Sequence, residues 1–407
     1  MQEKNKPVVS IVKSKTSVYD EIDFNEMVSQ SIINLESKEI KIPSRGSVFI
    51  KPNVIMGASA KDSITTEPKL VSSLIIHLKE RGVKKIYVGD SPVSYLNVNE
   101  VFKATGMDVA IKSSGGELVN IDDESERVTI KLPDSDMIEN ISVPKKALDA
   151  DYIINFAKLK THRIAAMTCC VKNWVGFIPQ DVRLRYHQTR LSKLVSELHR
   201  ILPERFCFAD AIIVGEGDGP DLSTPRFLGV LLSSNDPVAL DSIAAELISI
   251  NREDLIFDWT AYLDGIGEIE KNKIQIIGQD PVDLTIHIRR SVGVFYNRFP
   301  CNIVLGGLCE GCFAWFMGPA LFWKRDGIWE KINKKVGKPT FMLGFNAEDI
   351  HFEAHLQEGP YFVIGDCTPN KYKDDQRTIH IKGCCPGPAI PEIILKNCKI
   401  NEGDEWK

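Results

Sequence analysis

Ser47-Val48-Phe49-Ile50-Lys51-Pro52-Asn53 is the stretch from which the fold is read. Residues 47–51 have the length and apolar content of a short buried strand, and Pro52-Asn53 breaks the run. Upstream, Val8 to Lys13 reads as another strand, and Ile22 to Leu35 between the two carries apolar residues at helical spacing. That predicts one β–α–β unit. Downstream, Gly57 to Thr66 is a small polar loop, Pro68 stands near the start of a helical pattern over Leu70 to Lys79, and Lys85 to Val88 is the next strand. It ends in Gly89-Asp90-Ser91-Pro92, a turn signal with a carboxylate. Alternating strands and helices predict an α/β fold, a mainly parallel sheet with flanking helices, whose ligands sit beyond the carboxyl ends of the strands. Lys51, Asn53, Thr65, Thr66 and Asp90 all fall on that edge.

Gly106 to Val143, with Val128 to Leu132 as an alternating run, reads as a β-rich insertion. Asp151 to Ala157 is a further buried strand that continues as Lys158-Leu159-Lys160-Thr161-His162. With a side-chain period of two, Lys158, Lys160 and His162 share one face. Three potential cations on a face suggest an anion site, and a solvated sheet edge is the competing explanation. Arg163, Thr168, Lys172 and Asn173 add donors nearby, and His187 precedes an amphipathic helix from Leu191 to Leu202.

Phe208 to Val214 contains Asp210 and runs into Gly215-Glu216-Gly217-Asp218-Gly219-Pro220. Pro220 and Pro225 interrupt the helix that a dinucleotide fingerprint requires, so the glycines predict a flexible loop, or one whose backbone approaches a ligand closely, rather than a nicotinamide site. After a strand at Leu228 to Ser233, Asp236-Pro237 has the form of an N-cap and first-turn proline for a helix over Val238 to Ile248. Asp241 is then either a site residue or a first-turn carboxylate favoured by the helix dipole. A short helix at Thr260 to Ile269 and a strand at Lys273 to Ile277 complete this part. A change of composition near 280–300 divides the chain into an α/β domain, 1–290, with an anionic-substrate site, and a smaller α/β cysteine module, 291–407.

At 407 residues the chain exceeds the roughly 250–300 at which single cores stop growing. A formal net charge of −5 leaves no electrostatic footprint for nucleic acid. Met1 to Thr16 has no apolar run of the signal-peptide kind, and the most apolar stretch, Phe313 to Trp323, is about half the ~20 residues a membrane-spanning helix needs. That stretch reads as core or as a lid over a cofactor. These features predict a cytoplasmic protein with no membrane span.

Seven of the ten cysteines follow residue 300. Cys309-x2-Cys312 is a spacing that lets two thiolates reach one centre, and thiolates select zinc or iron–sulfur clusters. Cys367 and the pair Cys384-Cys385 each stand just after a predicted strand, Tyr361 to Ile364 and Thr378 to Ile381, as Cys309 does after Asn302 to Leu305. In a parallel sheet those strand ends lie together. Zinc, a redox disulfide and plain buried thiols are the alternatives; Cys169, Cys170, Cys207 and Cys398 fit the last.

Two resemblances follow from these motifs. Lys51-Pro52-Asn53, Thr65-Thr66, Gly89-Asp90-Ser91, Lys158-Leu159-Lys160-Thr161-His162, Val171-Lys172-Asn173-x2-Gly176, His187, Asp210-Ala211, Gly217-x-Gly219-Pro220 and Asp236-Pro237-Val238-Ala239-x-Asp241 occur in order. Together they resemble the prokaryotic domain-of-unknown-function 362 family, often described as uncharacterised iron–sulfur proteins. Many of its members append C-x2-C repeats, which this chain lacks. Cys309-x-Gly311-Cys312, Gly365-x-Cys367 and Gly383-Cys384-x-Pro386-x-Pro388 are similar to the proximal-cluster motif of nickel–iron hydrogenase small subunits. That resemblance implies a [4Fe-4S] cluster on Cys309, Cys312, Cys367 and Cys384, with Cys385 standing where the motif has proline.

The combined expectation is an iron–sulfur redox enzyme acting on a small anionic substrate. Lys51, Asn53, Thr66, Asp90, Lys158, Lys172, Asn173, Asp210 and Glu216 would bind the substrate, and Lys160, His162 and His187 would carry the proton chemistry. The alternatives are an electron-transfer protein serving a ferredoxin-like redox partner, and a divalent-metal hydrolase or lyase using Asp90, Asp210 and Asp241 with structural cysteines.

Overall fold

The computed structural model describes residues 6–93, 96–132, 135, 137–162, 165–186, 190–204, 206–289, 299–306, 310–345 and 347–400. The chain divides into two compact units, Met1–Arg183 with Ser192–Ser291, and Val292–Lys407 with Leu184–Leu191.

The first unit is built on strands β1 (Val8–Lys13), β2 (Ser47–Pro52), β3 (Lys85–Val88), β4 (Glu117–Leu118), β5 (Arg127–Lys131), β6 (Asn140–Pro144), β7 (Tyr152–His162), β8 (Ala166–Thr168), β9 (Phe206–Asp218), β10 (Leu222–Ser234) and β11 (Gln275–Gly278). Nine of them form a mostly parallel sheet in the order β11-β1-β10-β9-β7-β2-β3-β4, with β8 paired to β7. β5 and β6 form a separate antiparallel hairpin, the β-rich insertion. β9, β7, β2, β3 and β4 run parallel, whereas β10 is antiparallel to both β9 and β1.

This order corrects the simple β–α–β reading. β1 does not neighbour β2; it pairs with β10 and β11, and the long β9–β10 hairpin stands between. The hairpin also replaces the flexible loop expected at 215–220, since Gly215 to Asp218 are the last residues of β9 and pair with Leu222 to Pro225. Gly217 takes φ +81° there, a conformation that suits glycine.

Helices cover both faces. Leu70, Val71, Leu74, Ile75 and Leu78 of the helix Pro68–Glu80 are wholly buried beside Val48, Ile50, Phe156 and Phe208. Each such side chain is worth about 1.5–3 kcal/mol of burial. The helix Pro237–Leu247 packs Leu240, Ile243 and Ala244 with Ala157, Leu159 and Ile11. Phe156 and Ala157 thus serve opposite faces, as the period of two requires. Lys158 and Lys160 follow on the side of Phe156, in the middle of the sheet, and both are buried. The solvated-edge explanation therefore fails.

In the second unit β12 (Asn302–Leu305), β13 (Thr340–Leu343), β14 (Tyr361–Ile364) and β15 (Thr378–Ile381) form a wholly parallel sheet in chain order. Its register aligns Leu305, Leu343, Ile364 and Ile381, so every following segment leaves from the same edge. The apolar stretch 313–323 lies in the helix Glu310–Arg325, which buries Phe316, Met317, Ala320 and Trp323; the Phe316 ring sits 4.7 Å from that of Phe341 in β13. No helix among the described residues is long and apolar enough to cross a membrane.

Candidate functional site

In the first unit the segments following β2 and β3 and the end of β7 converge on a cavity of about 70 Å³. Lys51, Asp90, Lys160, Lys172 and Arg183 bring charge to its wall, and Asn53, Asn173 and Thr168 bring neutral donors and acceptors. Lys51 and Asp90 form an ion pair of 2.6 Å with both side chains essentially inaccessible to water. The other Asp90 oxygen accepts the Val54 N–H at 2.7 Å. Gly176 packs directly on this pair, since a Cβ there would lie 2.1 Å from Asp90 Oδ1 and 2.7 Å from Lys51 Nζ.

Asn173 ties the wall together. Its amide donates to the Lys51 and Pro52 carbonyls and to Asn155 Oδ1, and its oxygen accepts from Lys51 Nζ and Asn53 Nδ2. Lys160 Nζ donates to Asn53 Oδ1 at 2.8 Å and to the Ile64 carbonyl. Unlike Lys51, it forms no ion pair with any described residue. Burial, with repulsion from Lys172 and Lys158, holds its pKa well below the usual lysine value. Burial also lowers Lys51, against the pull of Asp90, and lowers Arg183. The Thr168 hydroxyl and the Arg183 Nε are buried and have no hydrogen-bond partner among the described residues.

Other predicted site residues stand apart from this wall. Lys158 is paired with Asp210 at 2.8 Å, both buried, and Asp210 further accepts the Glu67 and Ile212 N–H groups. The Thr66 hydroxyl donates to the Phe156 carbonyl and accepts the Asn53 N–H. Glu216 binds Arg289 and Arg226. His162 is buried, and its Nδ1 accepts the Ala165 N–H at 3.1 Å. His187 and Arg163 lie outside the described residues. Arg183, on the helix Gln180–Tyr186, was not anticipated; only its cationic type, close in sequence to the other donors, could have signalled it.

The three-aspartate metal site does not form. Asp90 and Asp210 each hold their own lysine, and Asp241 accepts the Cys170 and Val171 N–H groups at 2.8 and 2.9 Å. Cys169, Cys170 and Asp241 do bring ligand atoms within 4.8 Å of one another, close enough to hold a metal ion. Burial raises both thiols far above the ordinary cysteine value, and it lifts Asp241 to about 6. The two sulfurs and the carboxylate are a donor set that could hold a metal ion, although Asp241 is already engaged by two N–H groups.

In the second unit, Cys312 is buried and Cys367 exposed, yet both sulfurs approach Gly365. A Cβ on that glycine would lie 3.2 Å from the Cys312 sulfur and 3.7 Å from that of Cys367. Gly365 has φ +91° and donates its N–H to the Ile381 carbonyl, and Asp366 donates to the Gly383 carbonyl. These bonds tie the Cys367 loop to the loop carrying Cys384 and Cys385. The Gly387 N–H points at the Cys385 sulfur, 3.4 Å away. Cys309 lies outside the described residues. Cys312 and Cys367 thus bring two sulfurs to one sheet edge with Gly365 making room between them, and sulfur donors of this kind suit a soft metal. Cys301 and Cys398 differ, since burial pushes each to about 12.

Residues 48–246 match the family model described as Domain of unknown function (DUF362). A thylakoid-associated protein of Synechocystis sp. is 28% identical over 210 residues, a match that spans 50% of this chain and 63% of that protein's own length. Among solved structures, the lactate racemase apoprotein from Thermoanaerobacterium thermosaccharolyticum aligns with a TM-score of 0.36 and 12% identity, covering 96% of this chain and 91% of the other. A Thermotoga maritima protein aligns with a TM-score of 0.34 and 11% identity, covering 86% and 78%.

Proposed function

We propose that the chain is an iron–sulfur redox enzyme. Its first unit binds a small anion among Lys51, Lys160, Lys172 and Arg183, and its second holds a [4Fe-4S] cluster on Cys309, Cys312, Cys367 and Cys384. The observation that carries this reading is the charge imbalance of the cavity: four basic side chains meet one carboxylate, Asp90, on its wall. An anion held there would offset part of that positive charge. The unpartnered Thr168 hydroxyl and Arg183 Nε are donors such an anion would satisfy.

A cluster supplies electrons and no protons. Protons would come from the cavity wall, where burial and neighbouring cations lower the pKa of Lys160 and make it a readier proton donor than an ordinary lysine. Anaerobically purified protein should contain about four iron atoms per chain with matching acid-labile sulfide. It should also bind sulfate, measured calorimetrically, with affinity that falls on Lys172→Met. Colourless protein carrying one zinc and showing no sulfate binding would refute the reading.

A second reading, an electron carrier serving a ferredoxin-like partner, is favoured by Phe345 and Ile350, which are 65% and 84% exposed in the segment after β13. Under it the iron content is the same, but sulfate does not bind.

A further inference from the structure

We propose that Lys160 is a carbonyl-reactive amine, and that the cavity takes a two- or three-carbon oxo acid whose carbonyl carbon condenses with it to an imine. This rests on the anion-site reading of the first unit and needs no cluster.

Three observations lead to it. An ammonium group has three hydrogens to place, and among the described residues Lys160 Nζ donates to two acceptors, Asn53 Oδ1 and the Ile64 carbonyl. That number fits a neutral amine, whose two N–H groups are then satisfied and whose lone pair is free to react. Lys51 and Lys158, by contrast, each face a carboxylate, at 2.6 and 2.8 Å. Burial and neighbouring cations favour the neutral form of Lys160 as well.

The cavity also matches the partner in size and polarity. A single water takes roughly 10–15 Å³ of such space, so about 70 Å³ admits about five or six non-hydrogen atoms. A two- or three-carbon oxo acid has that size. Lys172 and Arg183 suit its carboxylate, and the buried, unpartnered Thr168 hydroxyl is a donor for its carbonyl oxygen.

The step balances without oxidant or reductant. The Nζ lone pair attacks the carbonyl carbon, a C–N bond forms, the C–O bond breaks, and the oxygen leaves as water with the two amine hydrogens. The imine retains the carbon skeleton and the carboxylate.

The test is reductive trapping of the full-length protein with glyoxylate or pyruvate and sodium cyanoborohydride, followed by peptide mass mapping. The expected result is a secondary-amine adduct concentrated on Lys160, formed at a rate that rises with pH much less steeply than labelling of exposed lysines. Labelling of an ordinary lysine should instead rise about tenfold per pH unit. Thr168→Val should slow labelling of Lys160 at least several-fold and leave exposed lysines unchanged. Because the adduct is located in the wild-type chain, the result does not depend on whether Lys160→Met folds. Labelling confined to exposed lysines while sulfate still binds overturns the imine proposal and leaves the anion site standing. If sulfate fails to bind as well, both are overturned.

Discussion

Lys160 Nζ lies 2.8 Å from Asn53 Oδ1, deep in the sheet, and forms no ion pair with any described residue. Two residues earlier on the same strand, Lys158 has Asp210 at 2.8 Å. The contrast separates a structural lysine from a reactive one, and several outcomes can be stated from it.

The pH dependence of folding should carry the signature of Lys160. In the unfolded chain the amine titrates near 10.5, and in the folded chain well below that. Between the two values the unfolded state binds one more proton, so stability rises with pH across that window, by up to about 1.4 kcal/mol per unit. Lys160→Met should flatten the slope of urea-unfolding free energy over pH 7–9. That range is clear of Asp236 and Asp241, which burial raises to about 6. Identical slopes for the two proteins would show that Lys160 is charged in the fold.

Asp210→Asn leaves the Lys158 charge buried without its partner. A loss of about 3–5 kcal/mol in urea unfolding is expected. Lys172→Met should stay within about 1 kcal/mol of wild type, since that side chain rests over the Phe257 ring and has part of its surface in water. Equal destabilisation by the two would remove the distinction between a structural pair and a binding wall.

Gly176→Ala drives a methyl group into the Lys51–Asp90 pair, 2.1 Å from the carboxylate oxygen. The pair cannot persist in place, and a cost of about 2–4 kcal/mol with loss of sulfate binding is expected. Unchanged stability and binding would mean that the helical turn after Asn173 shifts without consequence for the cavity.

Cys312→Ser and Gly365→Ala should each lower iron per chain, the first by removing a ligand and the second by placing a methyl group 3.2 Å from the Cys312 sulfur. Cys301→Ser and Cys398→Ser should leave iron unchanged, because Cys301 precedes β12, at the other end of the strand from the cysteine loops, and Cys398 follows the helix Ala389–Asn397. Iron lost equally in all four variants would point to general unfolding of the second unit.

Much of this was legible in the sequence wherever short apolar runs end at glycine or at a polar turn. The strands Lys85–Val88, Asn302–Leu305, Tyr361–Ile364 and Thr378–Ile381 have the predicted bounds for that reason. Thr340–Leu343 was missed although Gly344 ends it as Gly306 ends Asn302–Leu305, because no cysteine follows it to draw the reading there. The place of β1 beyond the β9–β10 hairpin was not legible, because strand order depends on pairings between residues more than two hundred positions apart, such as Val9 with Ser234. Glycines at 215, 217 and 219 read as a loop, although cross-strand bonding keeps the first two in β9. The period of two placed Lys158 and Lys160 on one face but could not tell which would find a carboxylate. That depended on Asp210, brought alongside by β9, and on Asp90, which pairs with Lys51 instead.

The most direct measurement is a crystal structure of protein soaked in selenate, read at the selenium edge. The anion site predicts an anomalous peak in the cavity, within hydrogen-bond distance of the Thr168 hydroxyl and close to Lys160, Lys172 and Arg183. An empty cavity at saturating selenate, with peaks only on exposed lysines, would contradict it.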